Sequence, residues 1–305
     1  MLRVLFAMPF APATSFPNRR RLKTAAAGPL IMLASGLLFG AMDCLIKLLG
    51  PSFRAWDIAF YRFGCGMAIL VLLFARNRDT FIGNNRKLLT VRGVTGCISF
   101  LAFVLALQLI PISTALVLFY SYPAFAALFS ALFFQEKMTA VEILWVLVAI
   151  CGVGVFIDTR LEGGIFGQVV TLVGAAFSGV ALSIVKKARE TNGPVVIYFY
   201  FCLTGAAMTF IPFVSDPHLP ASSNEWLILG GIVTTSLAAQ LLMNQGFHYC
   251  RSFEGGLFLT SELLFVALWG FVFLHDPITW HSITGGTMIL GSMIGLSQNT
   301  GPAEK

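Results

Sequence analysis

The sequence predicts an all-α integral membrane fold of ten transmembrane helices, arranged as two inverted five-helix repeats. Three observations carry this. The chain is too poor in charge to face water, its apolar residues fall in ten runs of spanning length, and its Lys and Arg residues favour one side of the runs. Hydrophobic residues are 57% of the 305 and charged residues only 11%, against roughly 25% charged in a soluble domain. The mean hydropathy is +0.83. Such a surface suits lipid. The 29 glycines fit too, because Gly is more frequent in membrane helices than in soluble ones.

A membrane helix needs about 20 mostly apolar residues. The runs cover 29–49, 55–75, 88–109, 112–134, 141–157, 166–185, 195–214, 226–248, 253–274 and 280–298. They are continuously apolar, whereas the strands of a membrane barrel alternate over about ten residues. Short connectors carry turn chemistry, as in Gly50-Pro51, Gly193-Pro194 and Asp276-Pro277. Thr139 and Glu142 have the spacing of a capping box at the start of the fifth run, each side chain placed to take an orphan backbone N–H.

With the N-terminus inside, sixteen Lys and Arg residues fall on the inner side and two, Arg54 and Arg160, on the outer. The positive-inside rule therefore puts both termini in the cytoplasm. The multi-pass chain is expected in a bacterial inner membrane. Residues 1–27 read as a disordered cytoplasmic tail, since the apolar start is too short to span and Pro9, Pro12 and Pro17 break it. Residues 28–160 form the first repeat, 161–298 the second and 299–305 a second tail.

The repeat is visible as a near-constant offset. Phe134-Gln-Glu-Lys-Met-Thr139 falls on Leu274-His-Asp-Pro-Ile-Thr279 at 140 residues, and Tyr120-Ser121-Tyr122 then falls on Thr260-Ser261-Glu262. Further back an offset of 139 puts Gly28 on Gly167, Gly40 on Gly179 and Lys47 on Lys186. Five helices is an odd number, so the second half is inserted upside down, an architecture that places a transport site near mid-membrane between the repeats.

The stretch Pro111-Ile-Ser-Thr-Ala-Leu-Val-Leu-Phe-Tyr-Ser-Tyr-Pro-Ala through Gln135-Glu136-Lys137-Met138-Thr139 resembles the fourth helix of the EamA family of the drug/metabolite transporter superfamily. Arg62 within Ile58-Ala-Phe-Tyr-Arg-Phe63 resembles an arginine common in that family's second helix, and Cys151-Gly-Val-Gly154 fits the end of its fifth. The resemblance covers residues 28–298. It implies a transporter that works by alternating access. Lys47, Arg62 and Ser261-Glu262-Leu-Leu264 look most like members that move nucleoside-like or vitamin-like metabolites. The sequence departs from the family at Glu262-Leu263, where the first half has Tyr122-Pro123, and at Asp276-Pro277. These departures bear on gating in the ninth helix.

Charge inside a membrane costs about 2.5 kcal/mol or more at the helix centre, so it needs a partner or a cavity. Glu262 sits near the middle of the ninth run with Tyr122 as its repeat mate, an ionisable group able to exchange a proton or meet a cationic substrate. The candidate substrate-binding residues are Tyr120, Tyr122, Gln240, Asn244, Ser261, Glu262 and Trp269. Trp269 and Phe129 lie one heptad beyond Glu262 and Tyr122; they either stack on a planar substrate or pack, and packing is favoured. Gln240, Asn244 and His248 make an i, i+4, i+8 stripe that either lines a cavity or joins helices. Asp43 and Lys47 are an i,i+4 pair on the face of Gly36 and Gly40, and with Arg62 they are candidates for gating or ion pairing.

Other classes find less support. No HExxH, Walker motif, nucleophile elbow or paired catalytic carboxylates occur, so an enzyme is not expected, and neither cofactor nor metal site is indicated. A membrane-embedded enzyme predicts polar residues clustered at one membrane face, and a scaffold subunit predicts a large soluble loop; neither is seen. Within transport the alternative is a broad-specificity drug exporter. The six cysteines form no CxxC pair, so neither a zinc site nor a disulfide framework is indicated. The net charge of +6 lies in connectors, with no basic stripe to meet nucleic acid. The expected partners are a small-molecule substrate and lipid. Gly291-x-x-x-Gly295 in the tenth helix and Cys151-Gly152-Val-Gly154 in the fifth offer small-residue faces for a homodimer.

Overall fold

The computed structural model describes residues 18–50, 52–74, 81–110, 112–135, 138–157, 164–274 and 279–299, apart from the side chains of 18–26, Lys47, Gln108 and a few others. These residues form twelve α-helices and no strand. The first half holds α1 (Asn18–Leu49), α2 (Ala55–Phe74), α3 (Arg86–Leu109), α4 (Ile112–Phe119), α5 (Tyr122–Phe134) and α6 (Ala140–Ile157). The second holds α7 (Ile165–Ala188), α8 (Pro194–Ser215), α9 (Ser223–Gly246), α10 (Ser252–Leu259), α11 (Ser261–Leu274) and α12 (Trp280–Asn299). Seven stretches are long and apolar enough to cross a membrane, and Ala140–Phe156 is a shorter apolar helix.

Helix ends follow local chemistry. Thr139 and Glu142 form the expected capping box: the Thr139 N–H donates to Glu142 Oε2 at 2.7 Å and the Glu142 N–H to Thr139 Oγ1 at 3.3 Å. At the equivalent place in the second half the Ser282 N–H donates to Thr279 Oγ1 at 3.2 Å. A reciprocal cap not anticipated from the sequence opens α9, with the Glu225 N–H on Ser222 Oγ and the Ala221 N–H on Glu225 Oε2.

The fourth and ninth apolar runs are each broken in two. The eight-residue α4 and α10 stand 140 residues apart, and each stops at the polar corner Tyr120-Ser121 or Thr260. There the Ser121 hydroxyl donates to the Leu118 carbonyl and the Thr260 hydroxyl to the Leu257 carbonyl, both at 2.6 Å. A hydroxyl that takes a carbonyl of the preceding turn offers the backbone an alternative to continuing the helix.

The halves pack as mates. Helix α1 lies against α9 and α11, and its counterpart α7 lies against α3 and α5. Helix α2 pairs with α8, and α6 with α12. Glycines set two of these crossings. A methyl on Gly40 would stand 3.2 Å from Phe265 Cβ, and one on Gly179 would stand 2.5 Å from Phe125 Cβ and 2.6 Å from the Ala126 nitrogen. The same close approach thus recurs at the offsets read from the sequence.

Two expectations are corrected and a third is narrowed. Helix α1 begins at Asn18, inside the segment expected to be a disordered tail. The Arg-Arg-Arg-Leu-Lys-Thr-Ala-Ala-Ala run is built largely from good helix formers, so the helix propagates past the apolar stretch. Arg92 and Arg189, two of the sixteen Lys and Arg residues expected on the inner side, are buried at 2% and 8% exposure. The small faces of α6 and α12 serve each other within the chain: a methyl on Gly152 would meet Met288 and the Gly285 carbonyl, and Gly295 lies against Trp145. Of the glycines on the proposed dimer faces, Gly154 and Gly291 look onto open space, and Cys151 beside them is exposed. Lys305, Arg160 and Asp276-Pro277 lie outside the described residues.

Candidate functional site

A cavity of about 170 Å³ lies at the seam between the halves. It is lined from α1, α2, α3, the α4–α5 corner, α7, α8, α9 and the α10–α11 corner, so only α6 and α12 contribute nothing. Two acids and two arginines reach it: Asp43, Glu262, Arg62 and Arg92. A second hollow of about 420 Å³ lies between the start of α2, one face of α3 and Val170. Apart from Arg54 its lining is uncharged, so the seam cavity carries the chemistry.

Glu262 is the second residue of α11 and follows the break at Thr260. Its placement depends on Gly36 and Gly40. A methyl on Gly36 would stand 2.6 Å from Ser261 Oγ, and one on Gly40 would stand 3.3 Å from the Glu262 carbonyl oxygen. The Gly-x-x-x-Gly face of α1 therefore turns inward and brings Asp43 beside Glu262 in the cavity.

Arg62 is 4% exposed and donates from Nε to Ser236 Oγ at 2.6 Å. Its guanidinium lies 4.9 Å from the Phe100 ring centroid, and both Asp43 and Glu262 act on its charge. Arg92 stacks on Phe201 at 3.9 Å and donates from Nη2 to Gln240 Oε1 at 3.3 Å. Its Nε and Nη1 have no hydrogen-bond partner.

Tyr120, Tyr122, Gln240, Glu262, Asp43 and Arg62 thus meet in one cavity. Tyr122 donates its hydroxyl to the Gly256 carbonyl at 3.3 Å, joining the two broken helices. Three other candidates stand apart from the lining. Asn244 donates to the Pro194 carbonyl at 3.1 Å and ties α9 to α8. Ser261 is buried against Gly36. Trp269 does not line the cavity, and Phe129 stacks between Phe125 and Phe133. The Lys47 side chain lies outside the described residues. Sequence reasoning missed Arg92, although it sits inside the third apolar run, where a charge needs an explanation. It also missed the aromatic wall of Phe39, Phe100, Phe103, Phe119 and Phe201.

Polar ties join the halves at both ends. At one end Asn84 and Asn192 exchange hydrogen bonds, the Asn84 N–H donating to Asn192 Oδ1 at 2.7 Å. Arg251 there bridges Glu142 and Glu254, with 2.6 Å to Glu254. Beside it Arg189 donates to Gln245 at 3.0 Å, and burial lowers its guanidinium to about 10. Burial also pushes the neighbouring Cys250 thiol up to about 12, with Glu254 adding to the effect. At the other end Arg54 pairs with Asp57 at 2.9 Å and Asp216 at 2.5 Å, and Tyr61 donates to the His218 carbonyl.

The model of the EamA-like transporter family matches residues 26–157 and again 165–298. The chain belongs to the EamA-like transporter family. The double match divides it where the two structural halves meet. Among relatives, the pseudopaline exporter of Pseudomonas aeruginosa is 27% identical over 89% of this chain and 96% of its own length. The S-adenosylmethionine uptake transporter of Rickettsia bellii is 26% identical over 68% of each chain. A solved crystal structure superposes with a TM-score of 0.75 at 18% identity, covering 88% of this chain and 96% of that one; this shows the fold. These family members are named as transporters, not enzymes, and this EamA chain is a multi-pass membrane protein of that kind.

Proposed function

We propose that the chain is a secondary transporter of a small polar metabolite, working by alternating access between two inverted halves. The single observation that carries the reading is the seam cavity, lined from both halves and holding two acids and two arginines where lipid surrounds the protein. Charge in that position needs a function or a partner. No nucleotide-binding motif occurs in the sequence, so the driving force is a gradient or exchange. The relatives named for pseudopaline export and S-adenosylmethionine uptake support a metabolite substrate.

The ten spans are the seven long stretches, Ala140–Ile157, the α10–α11 pair and α12. Charge bias places both termini in the cytoplasm of a bacterial cell and the Asn84–Asn192 end on the inner side. The ion pair that crosses between the halves there, Arg251–Glu142, is 23% and 3% exposed, against 36% and 81% for Arg54–Asp216 at the outer end. Exposed ion pairs contribute little. The arrangement therefore reads as a state closed more firmly toward the cytoplasm, and transport requires the Arg251 bridge to open.

A thermal-shift screen of the purified protein against a metabolite library tests this. A ligand that binds the folded protein raises its apparent stability. One chemical group of compounds is expected to raise the melting temperature. Many weak, unrelated hits would indicate a broad drug exporter, and no hit at all would overturn the reading.

A further inference from the structure

We propose that the hollow between α2 and α3 is a site for a membrane phospholipid whose headgroup carries a primary ammonium, with one acyl chain in the hollow and the ammonium on Asp216. This requires only that the chain spans a bilayer, and it stands whatever the seam cavity carries.

The hollow of about 420 Å³ is polar at one end and apolar along its length. Arg54 and Trp56, at the start of α2, form the polar rim, and Ile98, Leu101 and Leu105 of α3 with Val170 of α7 form the wall. Helix α3 packs along α7 but touches α2 little, which leaves the space. Leu105 lies one turn before the end of α3, at the same end of the molecule as Arg54. From there the wall runs back to Ile98, about 10 Å along the helix axis. Trp56 and Leu105 are exposed, so the hollow opens to the surroundings. A tryptophan at a membrane interface sets its ring at the level of the headgroups. An apolar hollow left empty there forfeits dispersion contacts, and an acyl chain is the apolar body the bilayer supplies. On its other face α3 presents Gly96, Ser99, Phe100 and Phe103 to the seam cavity, so a chain in the hollow backs the aromatic wall.

Charge at the rim selects the headgroup. Arg54 is shared by two carboxylates: its Nε and Nη2 donate to Asp57 at 2.9 and 3.0 Å, and its Nη1 donates to Asp216 Oδ2 at 2.5 Å. One cation against two acids leaves the rim anionic. Asp57 is fully buried, whereas the Asp216 carboxylate is 81% exposed and open to a further donor. The rest of this end has the same sign. By the charge bias it carries Lys47, Arg54 and Arg160 against Asp57, Asp158, Glu162, Asp216, Glu225 and Asp276. A lipid of net negative charge is therefore repelled. A primary ammonium offers three N–H donors and reaches Asp216 with a charge-assisted hydrogen bond. A trimethylammonium has no N–H to give.

The test uses the full-length protein in phosphatidylcholine vesicles doped with a lipid brominated on its acyl chain. The doped lipid has a phosphatidylethanolamine, phosphatidylglycerol or phosphatidylcholine headgroup. Bromine quenches tryptophan on contact, and the part of the emission that is lost in Trp56→Phe reports Trp56. Half-maximal quenching of Trp56 is expected at a mole fraction about threefold lower for phosphatidylethanolamine than for phosphatidylcholine, the factor of one exposed ion pair. Phosphatidylglycerol should need a higher fraction than either. Asp216→Asn should abolish the preference for phosphatidylethanolamine and leave chain contact with Trp56 in place. Equal quenching by the three headgroups, a preference for phosphatidylglycerol, or no quenching of Trp56 would overturn the proposal. So would a preference for phosphatidylethanolamine that survives Asp216→Asn. If Asp216→Asn does not fold, the comparison of headgroups on the unaltered protein decides alone.

Discussion

Asp43 of α1 and Glu262 of α11 line one cavity side by side across the line where the two halves meet. The juxtaposition exists because Gly36 and Gly40 let α1 approach the start of α11. It joins an element of one half to the broken helix of the other, so movement of the halves changes it directly. Glu262→Gln keeps the shape and the ability to hydrogen-bond but fixes the charge at zero. The variant should fold, and transport in liposomes should fall about tenfold or more or lose its dependence on pH. Normal rate with a normal pH profile would make Glu262 a structural hydrogen bond only.

Close packing of the two first helices predicts a graded series. Gly179→Ala forces a methyl against the Ala126 backbone nitrogen, and overpacking of this kind costs about 1–3 kcal/mol. Gly40→Ala meets its neighbours at 3.2–3.3 Å and should cost less. Gly154→Ala meets nothing within 4 Å and should be neutral or slightly stabilising. Melting temperatures of the three variants check the order; Gly154→Ala as the most damaging would contradict the packing described.

How much of this was readable beforehand depended on whether a residue contrasts with its surroundings. Asp43, Arg62, Gln240 and Glu262 stand out because each interrupts an apolar run, and all four reach the cavity. Arg92 also interrupts one, but it lies near the start of the third run, close to Arg86 and Lys87, where a charge reads as part of the connector. The helix begins at Arg86 and carries Arg92 well inside. The aromatic wall was unreadable, because 29 phenylalanines in apolar helices look alike and only packing distinguishes Phe100 from a lipid-facing neighbour. Asn244 and Ser261 were polar in the right helices yet face neighbouring backbones. The breaks at Tyr120-Ser121 and Thr260 were hidden within runs that hydropathy reads as continuous.

Opening of the end closed by Arg251 is testable through Cys250. Its thiol is 2% exposed and held up to about 12 by burial. An acid whose pKa is raised stays neutral near pH 7–8, and the neutral thiol is not the nucleophile. Arg251→Gln removes the bridge to Glu142 and Glu254. With the other cysteines replaced, maleimide labelling of Cys250 should accelerate several-fold and become faster as pH rises toward the ordinary thiol range. Unchanged labelling would show that the bridge does not hold this end closed.

Topology follows from the charge bias. A reporter fused after Arg160 should read external and one after Lys305 cytoplasmic. An external reading at Lys305 would rule out ten spans with both termini inside.

Transport itself is measured most directly by exchange. Liposomes carrying the purified protein are loaded with a labelled compound found by the thermal-shift screen, and its release is followed with and without the unlabelled compound outside. Release that depends on the protein, speeds up with external substrate and is lost in Glu262→Gln is the predicted result. Equal release from protein-free liposomes, or a rate indifferent to both external substrate and Glu262, would contradict a carrier built around this cavity.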